Sequence, residues 1–211
     1  MTGSLCEHDR PAVRWVVIVS ISAFLLAFTG ALQAQDGYAG YYPQSLKINT
    51  YGMAVLGGWA LTNISVGAYG WSNYSGQRAY FHQMNLFWNT VNLSIAAFAL
   101  YSNLSTEYSM LSDSELLDKQ LKNQRLFLIN GGLDVLYMGT GFLLKYLAPK
   151  YPKKEDRLLG YGNSVILQGA FLFVFDFVMY GLQRSHRLAF LDQLSLAPMQ
   201  EAWGLALTFQ F

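Results

Sequence analysis

Two aspartates, Asp134 and Asp176, lie inside otherwise apolar stretches of the sequence. A carboxylate at the centre of a membrane segment costs about 2.5–3.5 kcal/mol on insertion scales, so such residues usually face the interior of a helical bundle. Carboxyl groups can exchange protons, bind cations, or act as general acids and bases. Asp134 and Asp176 are therefore the first candidates for chemistry in this chain.

Polar residues accompany each aspartate at helical spacing. Asn130 precedes Asp134 by four residues and Tyr137 follows it by three, while Gln168 precedes Asp176 by eight. At about 100° per residue, each set lies on one narrow face of a helix. Two earlier segments carry similar faces, as expected if four helices surround a common polar centre. The candidate centre consists of Trp59, Asn63, His82, Asn85, Asn89, Asn92, Asn130, Asp134, Tyr137, Gln168 and Asp176.

Three roles for this centre stay open. In the first, the polar side chains only join helices through hydrogen bonds, each worth about 0.6 kcal/mol on average. In the second, they line a pocket for a small solute, an ion or a proton, with Asp134 and Asp176 titrating and His82 near the cytoplasmic mouth. In the third, the same three residues are the acid–base groups of a membrane-embedded enzyme.

No metal or cofactor is expected, and no nucleic-acid partner. The chain has one cysteine, Cys6, and His82 and His186 fall on opposite sides of the membrane in the topology argued below, so no histidine pair forms. Phosphate-loop and nucleophile-elbow motifs are missing. Lys+Arg 14 against Asp+Glu 13 gives a net charge of +1, which offers no electrostatic attraction for nucleic acid.

The composition indicates a membrane protein. Of the 211 residues, 53% are apolar and only 13% are charged, about half the charged share of a soluble domain. A soluble four-helix bundle needs wide polar faces, whereas the polar stripes here are narrow. The lipid bilayer is therefore an expected partner. Four stretches reach the roughly 20 residues that a spanning helix needs, and they are approximately 51–71, 84–101, 126–147 and 164–182.

The N-terminus has the features of a secretory signal peptide over residues 1–34. Arg10 and Arg14 precede an apolar run, and Ala34 stands before a polar step. An uncleaved anchor helix is the alternative. Either interpretation places residue 35 outside the inner membrane.

The orientation follows from that start. Loops 72–83 and 145–162 then face the cytoplasm, and they carry Lys and Arg at a higher density than the outer segments do. Aromatic residues concentrate at the ends of the spans, where the interface favours them. We therefore expect a multi-pass bacterial inner-membrane protein with a periplasmic C-terminus.

Two elements are expected outside the membrane. Ser112 and Glu115 form a capping box that starts a short amphipathic helix over about 113–125. Residues 203–211 alternate with a period of two, which predicts a strand, and 190–196 supply a less regular partner for a β-hairpin. The tail also resembles the end of an outer-membrane barrel, but the long apolar stretches do not alternate as barrel strands do.

The predicted fold is thus an all-α membrane protein with a short C-terminal hairpin. Its organisation is a signal peptide at 1–34, a periplasmic segment at 35–50, a four-helix transmembrane domain at 51–182 and a periplasmic tail at 183–211.

Two motifs resemble a known family. Residues 52–64 read Gly-Met-Ala-Val-Leu-Gly-Gly-Trp-Ala-Leu-Thr-Asn-Ile, and 80–93 contain Tyr-Phe-His-Gln-Met-Asn followed by Trp-Asn-Thr-Val-Asn-Leu. Together they resemble a family of small integral membrane proteins of unknown function from the Bacteroidetes. The resemblance covers most of the mature chain and is strongest over 52–100. It implies a multi-span helical protein and no particular activity.

The function favoured by the sequence is a non-enzymatic helical bundle that acts in assembly. It would bind a protein partner or a second copy of the chain, through the edge of the hairpin. The alternatives are the solute- or proton-handling protein and the membrane-embedded enzyme described above.

Overall fold

The computed structural model describes residues 37–105 and 112–196. This part of the chain is helical, which confirms the predicted all-α class for it. The predicted signal peptide at 1–34 and the predicted strand at 203–211 lie outside these residues. The four helices are α1 (Gly37–Asn73), α2 (Gly76–Ser105), α3 (Asp113–Leu147) and α4 (Glu155–Leu196), and 3-10 turns at Ala148–Lys150 and Pro152–Lys154 join α3 to α4.

Local sequence signals set two of the helix starts. Gly76 has a φ of 59°, a left-handed conformation that glycine adopts without steric cost, so the chain reverses within two residues between α1 and α2. The predicted capping box at the start of α3 is confirmed: the Ser112 side chain accepts from the Glu115 backbone N–H, and the Glu115 carboxylate accepts from the Ser112 N–H at 2.8 Å. The predicted amphipathic helix and third span are one continuous helix.

The helices form two antiparallel hairpins that meet through α2 and α4. α1 packs along α2, α3 packs along α4, and α4 also contacts α2 over much of its length. α2 and α3 have no extensive contact, so a groove runs between them with α1 and α4 at its floor. The turn ends of the two hairpins meet where the side chain of Asp156 lies beside Gly76.

The bundle is polar inside and apolar outside. Twelve polar or charged side chains are buried in the described residues, as many as the twelve apolar ones. Large apolar side chains point outward instead: Phe98, Leu104 and Leu136 are 75%, 81% and 65% exposed. Water-soluble proteins rarely present such apolar faces. The buried apolar cluster consists of Ile48, Met53, Leu56, Ala96, Phe127, Phe175 and Met179.

Only two segments of the described chain are long and apolar enough to cross a membrane, and these are Ser114–Lys150 and Pro152–Leu191. Of the four predicted spans, only those in α3 and α4 are therefore confirmed by length and composition. α1 and α2 fall short because many of their residues are Asn, Ser, Gly and Gln.

The prediction of a strand at 190–196 is wrong, because α4 continues to Leu196. Aromatic packing explains the helix: His186 and Phe190 lie one turn apart, and both rings stack on Tyr41 at centroid distances of 4.8 and 3.9 Å. A strand would point residues four apart in the same direction but about 13 Å apart, too far for both to contact one ring. The predicted segment 35–50 is likewise helical from Gly37 onward.

Candidate functional site

Five side chains from three helices form a hydrogen-bonded group that we call the amide cluster: Trp59, Asn63, Asn85, Ser164 and Gln168. The Trp59 indole N–H donates to Gln168 Oε1 at 3.0 Å. The Gln168 amide donates to Asn85 Oδ1 at 3.0 Å and to Asn63 Oδ1 at 3.4 Å. Ser164 Oγ donates to the same Asn85 oxygen at 2.6 Å. No buried polar atom of these five side chains lacks a hydrogen-bond partner. This is what we expect of side chains that only join helices.

Helical spacing positions this cluster. Trp59 and Asn63 lie one turn apart on α1, and Ser164 and Gln168 lie one turn apart on α4, so each pair shares a face. The Asn63 amide also donates to the Trp59 backbone carbonyl at 2.9 Å. Phe171 stacks on the Trp59 ring at 3.9 Å with the planes 4° apart, and this holds the indole N–H in line with Gln168.

Asn89 and Asn92 extend the polar face of α2 away from the cluster. Asn89 is fully buried, and its amide donates to the Asn85 backbone carbonyl at 2.8 Å. Asn92 donates in turn to Asn89 Oδ1 at 3.4 Å. Asn92 also lines a cavity between α2 and α3. The polar face of α2 therefore runs from the amide cluster to that cavity.

Asp134 of α3 and Asp176 of α4 form a carboxyl pair. They are 2% and 4% exposed, and their carboxyl groups lie close enough to interact directly. Two like charges this close together and removed from water repel each other strongly, so we expect one member of the pair to hold a proton. Oδ2 of Asp134 is buried and has no hydrogen-bond partner, which is costly for a carboxyl oxygen removed from water.

A cavity of about 400 Å³ lies in the groove between α2 and α3, and both members of the carboxyl pair line it. Trp88 of α2 and Tyr137 of α3 also line it, and their rings meet edge to face at 4.9 Å with an interplanar angle of 86°. None of the described lining residues is basic. The rest of the lining is Met53, Leu56, Val91, Asn92, Ile95, Phe127, Asn130, Leu133, Leu172 and Phe175.

The structure does not bring His82 to the carboxyl pair. His82 lies ten residues before Asn92, about 15 Å along the axis of α2, and it does not line the cavity. Its ring stacks beside Tyr74 at 5.4 Å and covers Gly70, and its Nδ1 is buried without a partner. Burial lowers the pKa of His82 from its usual value of 6.5.

The remaining predicted site residues divide between the two centres. Trp59, Asn63, Asn85 and Gln168 belong to the amide cluster, while Asp134, Asp176, Asn92, Asn130 and Tyr137 line the cavity. Tyr137 is half-buried and Asn130 is largely exposed. Asn89 lies between the two groups and hydrogen-bonds to Asn85 and Asn92. The eleven predicted residues therefore occupy the amide cluster, the cavity, the Asn89 position between them and the His82 site, rather than one common centre.

Sequence analysis missed several polar contacts. Ser164 lies one turn before Gln168, so its membership of the amide cluster was readable from spacing. Near the free ends of the hairpins, Ser45 Oγ donates to Gln183 Oε1 at 2.7 Å, and the Gln120 amide donates to Gln183 Oε1 at 3.3 Å. Gln183 follows Asp176 by seven residues, two turns on the same face, and that spacing was the available signal.

Comparison with known proteins gives one match. Residues 55–177 match a family described as a family of unknown function, DUF6992. The matched region contains the whole amide cluster and the carboxyl pair. No curated protein and no solved structure matches the chain.

Proposed function

The chain belongs to DUF6992, a family of unknown function, and we propose that it is a multi-pass membrane protein that binds a small solute in the cavity between α2 and α3. The carboxyl pair forms the polar part of that site. The sequence predicted membership of a family of unknown function, and the family match confirms that much. The family itself assigns no activity.

The inside-out distribution of side chains supports the membrane part of this proposal. In a bilayer the outward apolar faces contact lipid, and the buried amides and carboxyls avoid it. All four helices then cross the membrane. Asn63 of α1 and Asn85 of α2 contact α4, and exposed hydroxyls such as those of Ser65 and Thr90 donate to carbonyls of their own helix. The basic turn with Lys150, Lys153, Lys154 and Arg157 lies at the cytoplasmic surface, as the positive-inside rule expects.

The main support for solute binding is Oδ2 of Asp134, which is buried without a hydrogen-bond partner. Polar residues that only join helices are expected to be satisfied by one another, as those of the amide cluster are. The carboxyl pair instead leaves a buried oxygen without a donor, beside a cavity large enough for a small molecule. A buried group left unsatisfied needs an explanation, and beside a cavity a bound ligand is one that also accounts for its cost in stability.

Two other hypotheses from the sequence receive less support. Assembly through the edge of a β-hairpin needs two strands. One of the two predicted strands, 190–196, is helical. An enzyme with His82, Asp134 and Asp176 in one acid–base centre needs them within hydrogen-bonding reach, and His82 does not line the cavity that the two aspartates line.

Leucine substitutions test whether the carboxyl pair is a binding site or only joins α3 to α4. Leucine roughly preserves side-chain volume and deletes the polar group. We expect Asp134→Leu and Asp176→Leu to melt at or above the temperature of the parent protein in detergent, since each removes a buried carboxyl group and that of Asp134 has an oxygen without a hydrogen-bond partner. The matched control, Gln168→Leu in the amide cluster, should melt lower. If the aspartate variants lose as much stability as Gln168→Leu does, the pair is structural and the proposal fails.

Proton exchange at the pair is a second candidate function. The observation that favours it is the direct approach of two buried carboxyl groups, since two like charges so close together are not both stable and one proton relieves the repulsion. Infrared spectroscopy of the purified protein should show the carbonyl band of a protonated carboxylic acid, shifted in heavy water. That band should disappear in the double variant Asp134→Asn, Asp176→Asn, and a band that persists there would assign the proton to another group.

A further inference from the structure

We propose that the solute bound in this cavity is an organic monocation, a protonated amine with an apolar or aromatic body. This inference rests on the proposed function and adds the chemical class of the ligand. The ammonium group would lie against the carboxyl pair, and the body would fill the apolar part of the groove.

The charge of the site supports a monocation. With one proton shared between Asp134 and Asp176, the pair keeps one negative charge, and none of the described lining residues is basic. A buried charge without a counter-ion is strongly unfavourable. A single ammonium group supplies the missing charge and donates hydrogen bonds to the carboxyl pair, both members of which line the cavity.

The walls of the cavity support an organic rather than an inorganic cation. Most of the lining side chains are aliphatic or aromatic, among them Leu56, Phe127 and Leu172. A metal ion that sheds its water shell needs oxygen ligands on several sides. The described residues contain no group of three or more His, Cys, Asp or Glu side chains that could hold one. Apolar walls with a few polar groups at one point are instead typical of sites for small organic molecules.

The aromatic pair at the groove adds a further preference for positive charge. Trp88 and Tyr137 approach each other from the two helices that flank the opening. A ring face attracts a nearby cation through its quadrupole, most strongly in tryptophan. An amine that enters between α2 and α3 would therefore contact these rings before or while it reaches the carboxyl pair.

Three matched probes test the inference by calorimetry on the full-length protein in detergent: 2-phenylethylamine, the neutral 2-phenylethanol and the anion phenylacetate. Hydrogen bonds from a charged donor are stronger than those from a hydroxyl, so the amine should bind at least about tenfold more tightly than the alcohol, a difference of about 1.4 kcal/mol. Phenylacetate should not bind. Replacing sodium chloride by potassium chloride at the same ionic strength should leave amine binding by the parent protein unchanged if sodium does not occupy the site.

Three variants locate the binding. The double variant Asp134→Asn, Asp176→Asn keeps the shape of the pair and should remove the preference for the amine over the alcohol. Ile95→Trp blocks the cavity from a position that is already 53% exposed, and it should abolish binding of every probe. The control Val135→Trp adds the same side chain at a 51% exposed position outside the cavity lining, and it should bind as the parent does.

The outcomes separate the ligand class from the site itself. Equal binding of amine and alcohol, both lost in Ile95→Trp, would overturn the monocation inference and leave the proposed solute site standing. Tighter binding of phenylacetate, or sodium competition with the amine, would overturn the inference in favour of another ligand class. Probe binding that survives Ile95→Trp, or no binding by any probe, would overturn it together with the assignment of this cavity to such solutes.

Discussion

Gly141 of α3 and Gly162 of α4 face each other so closely that a Cβ on either would lie 2.7 Å from the carbonyl oxygen of the other. No real Cβ atom tolerates that distance, and a backbone carbonyl inside a helix cannot move aside at low cost. The absence of both side chains therefore allows α3 and α4 to approach at this level. In membranes, where helices lack a hydrophobic driving force for association, such small-residue contacts are a principal source of stability.

We expect Gly162→Ala to lower the free energy of unfolding in detergent by about 1–3 kcal/mol, the usual cost of overpacking. The matched control is Gly139→Ala on α3, where a new Cβ would meet no heavy atom within 4 Å. There alanine should be neutral or stabilise by up to about 1 kcal/mol through its higher helix propensity. If both alanines shift the unfolding midpoint alike, the close contact does not determine packing of α3 on α4.

The hydrogen bond between Trp59 and Gln168 should be measurable as a coupling energy. Trp59→Phe deletes the indole N–H and keeps a ring against Phe171, while Gln168→Leu deletes the amide. In a double-mutant cycle we expect about 0.6 kcal/mol of favourable coupling, with roughly 1.7 kcal/mol as the upper limit seen for membrane helices. Strictly additive single variants would mean that the two groups do not interact in the folded protein.

The sequence predicted the helices and most polar residues but not their grouping. The period of 3.6 residues placed Asn63 and Gln168 on inward faces correctly. The period does not show how far each helix is shifted along its axis relative to its neighbours. The sequence analysis therefore assigned the amide cluster, the carboxyl pair and His82 to one centre. The error at 190–196 has a similar origin, because the contacts of His186 and Phe190 with Tyr41 join residues more than 140 positions apart.

His82 should make the protein less stable in acid. It lies just before the proposed span at 84–101, and burial lowers its pKa below 6.5 in the folded state. The unfolded chain then takes up a proton first, so this contribution to stability is complete above about pH 6.5 and is lost as the pH falls through the folded-state value. In His82→Phe, which keeps a ring beside Tyr74, that part of the pH dependence should be missing. An unchanged acid slope in thermal melts of the variant would contradict this assignment.

Cysteine labelling tests whether all four helices cross the membrane in the proposed orientation. In a Cys6→Ser background, an impermeant maleimide applied to spheroplasts should modify Lys122→Cys, which is exposed on α3 near its start. The matched Lys153→Cys, exposed in the turn before α4, should react only after the cells are opened. Phe98→Cys on α2 should stay unmodified in both preparations because lipid covers it, although this position is 75% exposed in the isolated chain. Rapid labelling of all three in opened cells would show that α2 is in water and that the bundle does not cross the bilayer as proposed.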